Sequence, residues 1–160
     1  MPELLSNSEA SYIAGFVDGE GCFSTAARQF VTPYLEVTNT DKDTLDWMQR
    51  ITECGSVYKV KTPKGRPQRW KWSASVQPAA DVVHQLIPFL RTKRMQAHCF
   101  CAIAAFRRLP QASRKRLRIV EFALAAFCTA EKLGGRKAKT AVPDFAQIIA
   151  KELAAQERSK

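Results

Sequence analysis

The sequence lacks the features that would assign the chain to a membrane, secreted or repeat class. None of its apolar runs is long enough to span a bilayer, and the N-terminus does not show the basic-then-apolar pattern of a signal peptide. We find no internal repeat and no low-complexity segment. We therefore expect a protein that has no membrane partner and remains inside the cell.

Paired cysteines and metal-ligand spacing are also missing. The five cysteines are an odd number and accompany no secretion signal, which indicates free thiols in a reducing compartment. The cluster His98-Cys99-x-Cys101 suggests zinc, but a structural zinc site needs four ligands in spaced pairs, and His84 and Cys128 provide no such pair. We interpret these cysteines as buried thiols on a helix.

Acidic residues are scarce compared with basic ones. The chain has 15 Asp and Glu residues against 25 Lys and Arg, a net charge of +10 and a pI near 9.7. The electrostatic field of this positive charge favours a polyanionic partner, either nucleic acid or an acidic membrane surface. The length of 160 residues suffices for one domain with a buried core.

The order of the predicted elements indicates an α+β fold, with helices packed behind four strands whose outer faces are polar. We predict one domain over residues 1–160, with a core at about 6–109 and a helical extension at 110–160. The predicted helices are 6–18, 41–54, 79–90, 95–109, 113–132 and 144–156, and the predicted strands are 22–29, 33–40, 57–62 and 68–76. The first two strands are predicted to meet in a turn near Thr32-Pro33, and Gly55 to end the second helix.

One stretch near the N-terminus has an unusual composition. Apolar residues at helical spacing precede Gly19 and Gly21. We predict that a helix ends at these glycines and that a strand begins after them. Glu20 then lies at a helix C-terminus, which is unfavourable beside partly negative carbonyls unless a divalent cation is bound there. Gly15 and Gly19 share one helix face, which would let a second helix approach closely. The alternative is a glycine-ended helix with a solvated Glu20.

The nine residues Ile13-Ala14-Gly15-Phe16-Val17-Asp18-Gly19-Glu20-Gly21 resemble the LAGLIDADG motif of the homing endonucleases, with Ile for the leading Leu and Glu for the final acid. The predicted order of elements is also similar to the αββαββα core of that family, a four-stranded antiparallel DNA-binding sheet backed by helices, with further C-terminal helices. A single motif copy implies a homodimer.

The resemblance implies an enzyme that hydrolyses both strands of a long, near-palindromic DNA site, as in intron homing, inside a DNA-containing compartment such as the bacterial cytoplasm or an organelle. Glu20 would be catalytic and, with the Gly19 carbonyl, would bind Mg²⁺, a site that Mn²⁺ or Ca²⁺ can also occupy. The dimer contact implied by the motif involves Tyr12, Gly15, Phe16 and Gly19. Asp18 would support packing or polar contacts near the helix end rather than bind metal.

Two further catalytic residues follow from the same resemblance. Asn39 lies at the place of a polar residue near the scissile phosphate, where its amide would orient a water molecule. Lys93 corresponds to a basic residue that stabilises charge developing on the phosphate. Asn39 is also typical of an ordinary strand-ending turn, and Lys93 of a basic helix start.

The second predicted hairpin is strongly basic. We predict Tyr58 and Val60 to face inward, opposite Trp70 and Trp72, so that the lysines and arginines between them share one outer face suited to the DNA major groove. The alternative is a solvated sheet edge. The hairpin residues predicted to bind DNA are Lys59, Lys61, Lys64, Arg66, Arg69 and Lys71.

The resemblance adds DNA-binding residues on the first hairpin, in the segment before the fourth core helix and in a C-terminal basic cluster. Within this group, Glu36 would either accept a hydrogen bond from a cytosine amine or repel phosphate. The group comprises Ser24, Ala26, Arg28, Tyr34, Glu36, Arg91, Arg136, Lys137 and Lys139.

Two rival functions stay open at this point. The first is a catalytically inactive LAGLIDADG protein that acts as an intron maturase or as a DNA-binding regulator, although neither role requires an acid at Glu20. The second is a basic RNA-binding scaffold, for which the sequence lacks an exposed aromatic stacking motif.

Overall fold

The computed structural model of the chain describes residues 4–27 and 31–111. Within these residues the helices are α1 (Asn7–Glu20), α2 (Lys42–Thr52), α3 (Val76–Leu86) and α4 (Arg94–Arg107), and the strands are β1 (Gly21–Ala27), β2 (Val31–Asn39), β3 (Ser56–Val60) and β4 (Arg69–Ser75). The strands form one antiparallel sheet in the order β1-β2-β4-β3. This confirms the predicted α+β fold.

The α1 helix begins at the predicted capping box. The Ser6 hydroxyl accepts a hydrogen bond from the backbone N–H of Glu9, and the Glu9 carboxylate accepts one from the backbone N–H of Ser6 at 2.8 Å. The helix buries Ile13 and Val17 against the sheet, whereas Tyr12 stays 53% exposed. One side of α1 is therefore core and another is open surface.

The core lies between the inner face of the sheet and the helices. Trp72 in β4 is completely buried, and its indole N–H donates to the Cys54 carbonyl at 3.0 Å. Phe23 in β1 packs edge-on against Phe100 in α4. No outward-facing position of the described strands is buried. The outer sheet face is thus the free face of the described residues.

The pairing of β3 with β4 corrects the predicted face of Lys59. In an antiparallel pair, residues directly opposite each other share a face. Lys59 lies opposite Trp70, on the helix side of the sheet, and Tyr58 lies opposite Lys71 on the outer side. The prediction was shifted by one position on β3, and a one-residue shift moves every side chain of a strand to the other face.

The predicted turn at Thr32-Pro33 is also wrong, because both residues lie inside β2. Pro33 pairs with Thr25 of β1, whereas the pairing of β2 with β4 begins only at the next residue, Tyr34. At Pro33, β2 therefore has β1 as its one neighbouring strand. Because no strand pairs with Pro33 on the β4 side, the missing N–H of proline removes no hydrogen bond there.

Two helix ends differ from the predictions by a few residues. The α2 helix stops at Thr52, and Glu53 takes the left-handed conformation (φ 50°) before Gly55 does so (φ 75°). A side chain at Gly55 would come within 2.6 Å of the Trp72 indole nitrogen. The α3 helix begins at Val76, directly after β4, and not at residue 79.

Several predictions concern residues outside the described ranges. They are Cys128, the DNA-binding residues Arg28, Arg136, Lys137 and Lys139, and the C-terminal helices from residue 113 onward. Among the described residues, the helices are all too short or too polar to cross a membrane.

Candidate nucleic-acid interface and active site

The junction of α1 and β1 places Glu20 at the end of the sheet. Gly21 follows it directly as the first residue of β1, and a side chain there would lie 2.6 Å from the Val17 carbonyl oxygen. Only glycine allows so close a passage from helix to strand. The Glu20 side chain is exposed and has no hydrogen bond or ion pair within residues 4–27 and 31–111.

Asp18 ties the α1 end to the segment before α4. Its carboxylate accepts hydrogen bonds from the backbone N–H groups of Arg91 (2.7 Å), Lys93 (3.0 Å) and Thr92 (3.3 Å), and from the Thr92 hydroxyl at 2.9 Å. Burial raises the pKa of Asp18, but the donors from Arg91, Thr92 and Lys93 lower it by more, so the pKa of this carboxyl lies below its ordinary value. Asp18 therefore serves as an anionic anchor for residues 91–93.

Lys93 reaches the same helix end with its side chain. Its Nζ atom donates to the Val17 carbonyl at 3.0 Å and also to the Asp18 carbonyl. A cation here offsets the partial negative charge of the last turn of α1. Glu20 and Lys93, predicted separately, are thus brought to one place.

Asn39 lies at the same edge of the sheet. Val37 pairs with Gly21, so Asn39, two residues further along β2, ends its strand beside the α1–β1 junction. Its side-chain oxygen accepts a hydrogen bond from the Asp41 N–H at 2.9 Å, which is the turn geometry that the alternative interpretation describes. The side-chain NH₂ group is the part of Asn39 left for another partner among the described residues.

The donor set of one chain is incomplete for a metal ion. The described residues contain no cluster of three His, Cys, Asp or Glu side chains that could share a cation. Glu20 supplies one exposed carboxylate, and oxygen atoms of this kind suit Mg²⁺ or Ca²⁺. Among the described residues, Glu20 is therefore the one acidic side chain at this position that could bind a cation.

The buried cysteines do not change this conclusion. Cys99 and Cys101 are buried on α4, as the sequence indicated, and Cys101 forms no disulfide. Burial raises the pKa of the Cys101 thiol to about 12, so the metal-binding thiolate is disfavoured.

The outer face of the sheet carries polar side chains across all four strands. At its centre Lys71 forms an ion pair with Glu36 (Nζ–Oε1 3.1 Å), and the Ser24 hydroxyl is 3.5 Å from the other oxygen of Glu36. The strand pairings place the predicted residues Ser24, Ala26, Tyr34, Glu36, Arg69 and Lys71 on this face together. Lys59 is the predicted residue that the pairing excludes from it.

The loop between β3 and β4 carries the rest of the basic hairpin. Lys61, Lys64 and Arg66 are all exposed there, and Arg66 lines a cavity of about 370 Å³ with Arg69. Gln68 closes the loop by donating to the Val60 carbonyl at 2.9 Å. Arg91 is exposed at the other end of the described site, next to the segment held by Asp18.

Comparison with solved structures shows which fold these helices and strands form. No protein-family model and no curated protein matches the chain. The homing endonuclease I-CvuI, solved with its DNA target and calcium, is 21% identical with a TM-score of 0.66, covering 91% of this chain and 94% of that one. The archaeal intron-encoded homing endonuclease I-Vdi141I, solved with DNA, is 18% identical with a TM-score of 0.62, covering 90% and 94%.

This chain has the LAGLIDADG homing-endonuclease fold. The LAGLIDADG meganuclease I-AabMI, bound to uncleaved DNA, matches over 73% of this chain but only 43% of that one, at 17% identity and a TM-score of 0.58. The present chain therefore spans nearly the whole of I-CvuI and I-Vdi141I and under half of I-AabMI.

The exposed side of α1 runs through the LAGLIDADG motif. A Cβ atom built on Gly15 or on Gly19 would meet nothing within 4 Å, so neither glycine is required by contacts within the described residues. Grooves of about 520 Å³ flank this side of the helix. One is lined in part by Glu9 and Asp43, and the other by Arg91 and Arg94.

Sequence reasoning missed two features of the site. The hydrogen bond from the Thr92 hydroxyl to Asp18 joins residues 74 positions apart, and no local sequence pattern predicts it. Tyr58, 45% exposed on the outer face beside Lys71, was predicted to be buried. Its position could be obtained only from the strand register.

Proposed function

We propose that the protein is a site-specific double-strand DNA endonuclease that acts as a homodimer with a divalent metal ion. The observation that carries the proposal is the exposed Glu20 carboxylate, which has no partner among the described residues, at the end of a LAGLIDADG helix whose glycine side is open. Residues 4–27 and 31–111 of one chain contain no cluster of three acidic, His or Cys side chains for a cation, and a two-fold contact through α1 would supply a second Glu20.

The homodimer is supported by the composition of the exposed side of α1. Gly15 and Gly19 would admit a second helix at close range, with Tyr12 and Phe16 packing beside them. In an isologous contact along this helix, each flank of one protomer meets the opposite flank of its partner. The acidic groove at Asp43 would then face the basic groove at Arg91.

The metal proposal rests on Glu20 and Gly19. The two Glu20 carboxylates and the Gly19 carbonyls would hold Mg²⁺, for which Mn²⁺ or Ca²⁺ can substitute, and a bound metal would activate water and stabilise the leaving oxygen. Lys93, now on the α1 carbonyls, would place its positive charge beside the scissile phosphate. The NH₂ group of Asn39, which has no partner among the described residues, would orient the attacking water.

The DNA interface would be the outer face of the sheet together with the β3–β4 loop. The described part of this surface comprises Ser24, Ala26, Tyr34, Glu36, Lys61, Lys64, Arg66, Arg69, Lys71 and Arg91. Lys59 would contribute only by its charge. A net charge of +10 would provide general attraction to phosphate.

Three similar proteins lend support to this proposal. I-CvuI, I-Vdi141I and I-AabMI were all solved with DNA, and I-CvuI with calcium or magnesium. Cys54 and Cys101 are free thiols, which suits the proposed reducing compartment.

The proposal is tested by cutting a plasmid library of random inserts in the presence of Mg²⁺ and sequencing the ends. We expect the wild-type chain to cut one class of long, near-palindromic site. Glu20→Gln should bind that site and leave it intact, whereas Glu53→Gln, which removes another exposed acid, should cut normally.

If the wild-type protein retains duplex DNA from the library but cuts none of it with Mg²⁺ or Mn²⁺, the nuclease proposal is wrong. An inactive maturase or DNA-binding regulator would then be the better description. Retention of RNA alone would exclude the endonuclease and the DNA-binding regulator, and would favour a maturase or an RNA-binding scaffold.

A further inference from the structure

The outer sheet face carries one carboxylate at its centre, although its surroundings are basic. Glu36 of β2 and Lys71 of β4 form an ion pair with Nζ–Oε1 3.1 Å, and each side chain is about one quarter exposed (25% and 26%). Ser24 lies 3.5 Å from the second carboxylate oxygen. The pair therefore presents one acceptor and one donor side by side, 3.1 Å apart.

A carboxylate is unfavourable on a surface that faces DNA unless it has a donor there. It accepts hydrogen bonds and cannot donate them, so phosphate repels it. In the major groove the base amines available to it are the N4 group of cytosine and the N6 group of adenine. The position of Glu36 thus indicates contact with a base edge rather than with the backbone.

The spacing of the ion pair is similar to that of a base-pair edge. In a C·G pair, cytosine N4 donates to guanine O6, so these two atoms are about 3 Å apart. The 3.1 Å separation of Lys71 Nζ and Glu36 Oε1 corresponds to this distance. Lys71 can donate to guanine O6 while Glu36 accepts from cytosine N4.

The neighbouring groups on each edge distinguish the four base pairs. In C·G, guanine N7 gives Lys71 a second acceptor, and no acceptor adjoins cytosine N4 beside Glu36. In A·T, adenine N7 would repel Glu36 and the thymine methyl group would lie near Lys71. In the two reversed pairs the acceptor faces Glu36 and the amine faces Lys71.

We propose that Glu36 and Lys71 together select one C·G base pair in each half of the DNA site, in a single orientation, with Ser24 positioning Glu36. This inference rests on the proposed function. Because the Lys71 charge is already paired with Glu36, Lys71 adds specificity more than general affinity for DNA.

The test is selection of bound duplexes from a randomised DNA pool, with the full-length protein and Ca²⁺ in place of Mg²⁺, followed by sequencing. We expect one position per half-site at which the wild-type protein strongly prefers cytosine on one strand. Glu36→Gln should lower the preference for cytosine about tenfold or more. It should also raise the frequency of adenine at that position, because glutamine pairs with adenine N6 and N7.

Lys59→Gln is the matched control for Lys71→Gln. Both variants remove one positive charge from the same hairpin, but Lys59 lies on the opposite face of the sheet. We expect Lys59→Gln to weaken binding uniformly and to leave every base preference unchanged. Lys71→Gln should weaken the guanine requirement at the same position that Glu36→Gln alters.

The inference is overturned if Glu36→Gln and the wild-type protein select the same bases at every position while both bind specific duplexes. In that case the proposed endonuclease function still stands. If the wild-type protein retains no duplex from the pool, both the inference and the proposed DNA-binding function are wrong.

Discussion

Lys93 donates from its Nζ atom to the carbonyl oxygen of Val17 at 3.0 Å, so its ammonium group lies over the C-terminal end of α1. Glu20 ends the same helix. The carboxylate of Glu20 and the ammonium group of Lys93 therefore both lie at the C-terminal end of α1, although 73 positions separate the two residues in the chain.

Replacing Lys93 with methionine should lower the cleavage rate strongly, by about 100-fold or more, because a positioned charge near the phosphate is lost. The free energy of unfolding should fall by only about 0.5–1 kcal/mol, since a cation at a helix C-terminus contributes that much. Single-turnover cleavage and urea unfolding measure the two effects. Lys93→Arg keeps the charge, and its cleavage rate should lie between those of Lys93→Met and the wild type. Equal rates for Lys93→Met and wild type would exclude the catalytic role.

Asp18→Asn should lower the free energy of unfolding by about 1–3 kcal/mol at pH 7, because an amide cannot accept all four hydrogen bonds made by the carboxylate. Asp46→Asn is the matched control. It breaks an exposed pair with Lys42 on one helix, and should change stability by about 0.5 kcal/mol or less.

The Asp18 effect should depend on pH in a defined direction. The folded pKa of Asp18 is lowered, so its contribution is complete above the unfolded pKa of about 4 and is lost as the pH falls through the folded value. The difference between wild type and Asp18→Asn in urea titrations should shrink below about pH 4. A difference that stays constant from pH 7 to pH 2 would contradict the anchoring role.

Gly21→Ala should lower the free energy of unfolding by about 2 kcal/mol, because the new methyl group would overlap the backbone of Val17. Gly15→Ala is a matched substitution six residues earlier in an open position. It should raise the helix stability of the isolated chain by about 1 kcal/mol. Thermal unfolding at low protein concentration measures the stability of both variants. Equal changes in stability for Gly21→Ala and Gly15→Ala would show that Gly21 is not required at the junction.

Gly15→Leu should convert the proposed dimer into a monomer without unfolding it. The described residues leave open space at this position, whereas a second α1 helix would clash with a leucine side chain. Sedimentation equilibrium and circular dichroism give the mass and the helix content. His84→Leu adds the same side chain at an exposed position of α3 and should leave the mass unchanged; a Gly15→Leu protein of unchanged dimer mass would place the contact elsewhere.

The sequence was sufficient for the elements whose pattern is local. The capping box at Ser6 and Glu9, the alternation of β2 and the exposed Glu20 all follow from neighbouring residues. The β3 register did not, because Val57, Tyr58 and Val60 are all apolar or aromatic and show no period of two. Only the pairing with Trp70 and Trp72 on β4 decides which of them face the core.

The same distinction applies to the candidate site. Glu20 and Lys93 were found by motif, but the contact of Asp18 with Thr92 depends on how α1 packs near the start of α4. Pro33 shows the opposite case. Its residue type favoured a turn, and the fold overrode this because β4 does not reach that end of β2.

Glu20 and Gly21 are consecutive residues, so one peptide bond joins the helix end to the first strand of the outer face. In the proposed endonuclease, the distance between the cleaved phosphate and the bases that the sheet contacts would therefore be constant. Altering outer side chains such as Glu36 should change which sequence is chosen while the spacing between the two cuts stays the same. Retargeting and cleavage geometry would then evolve independently.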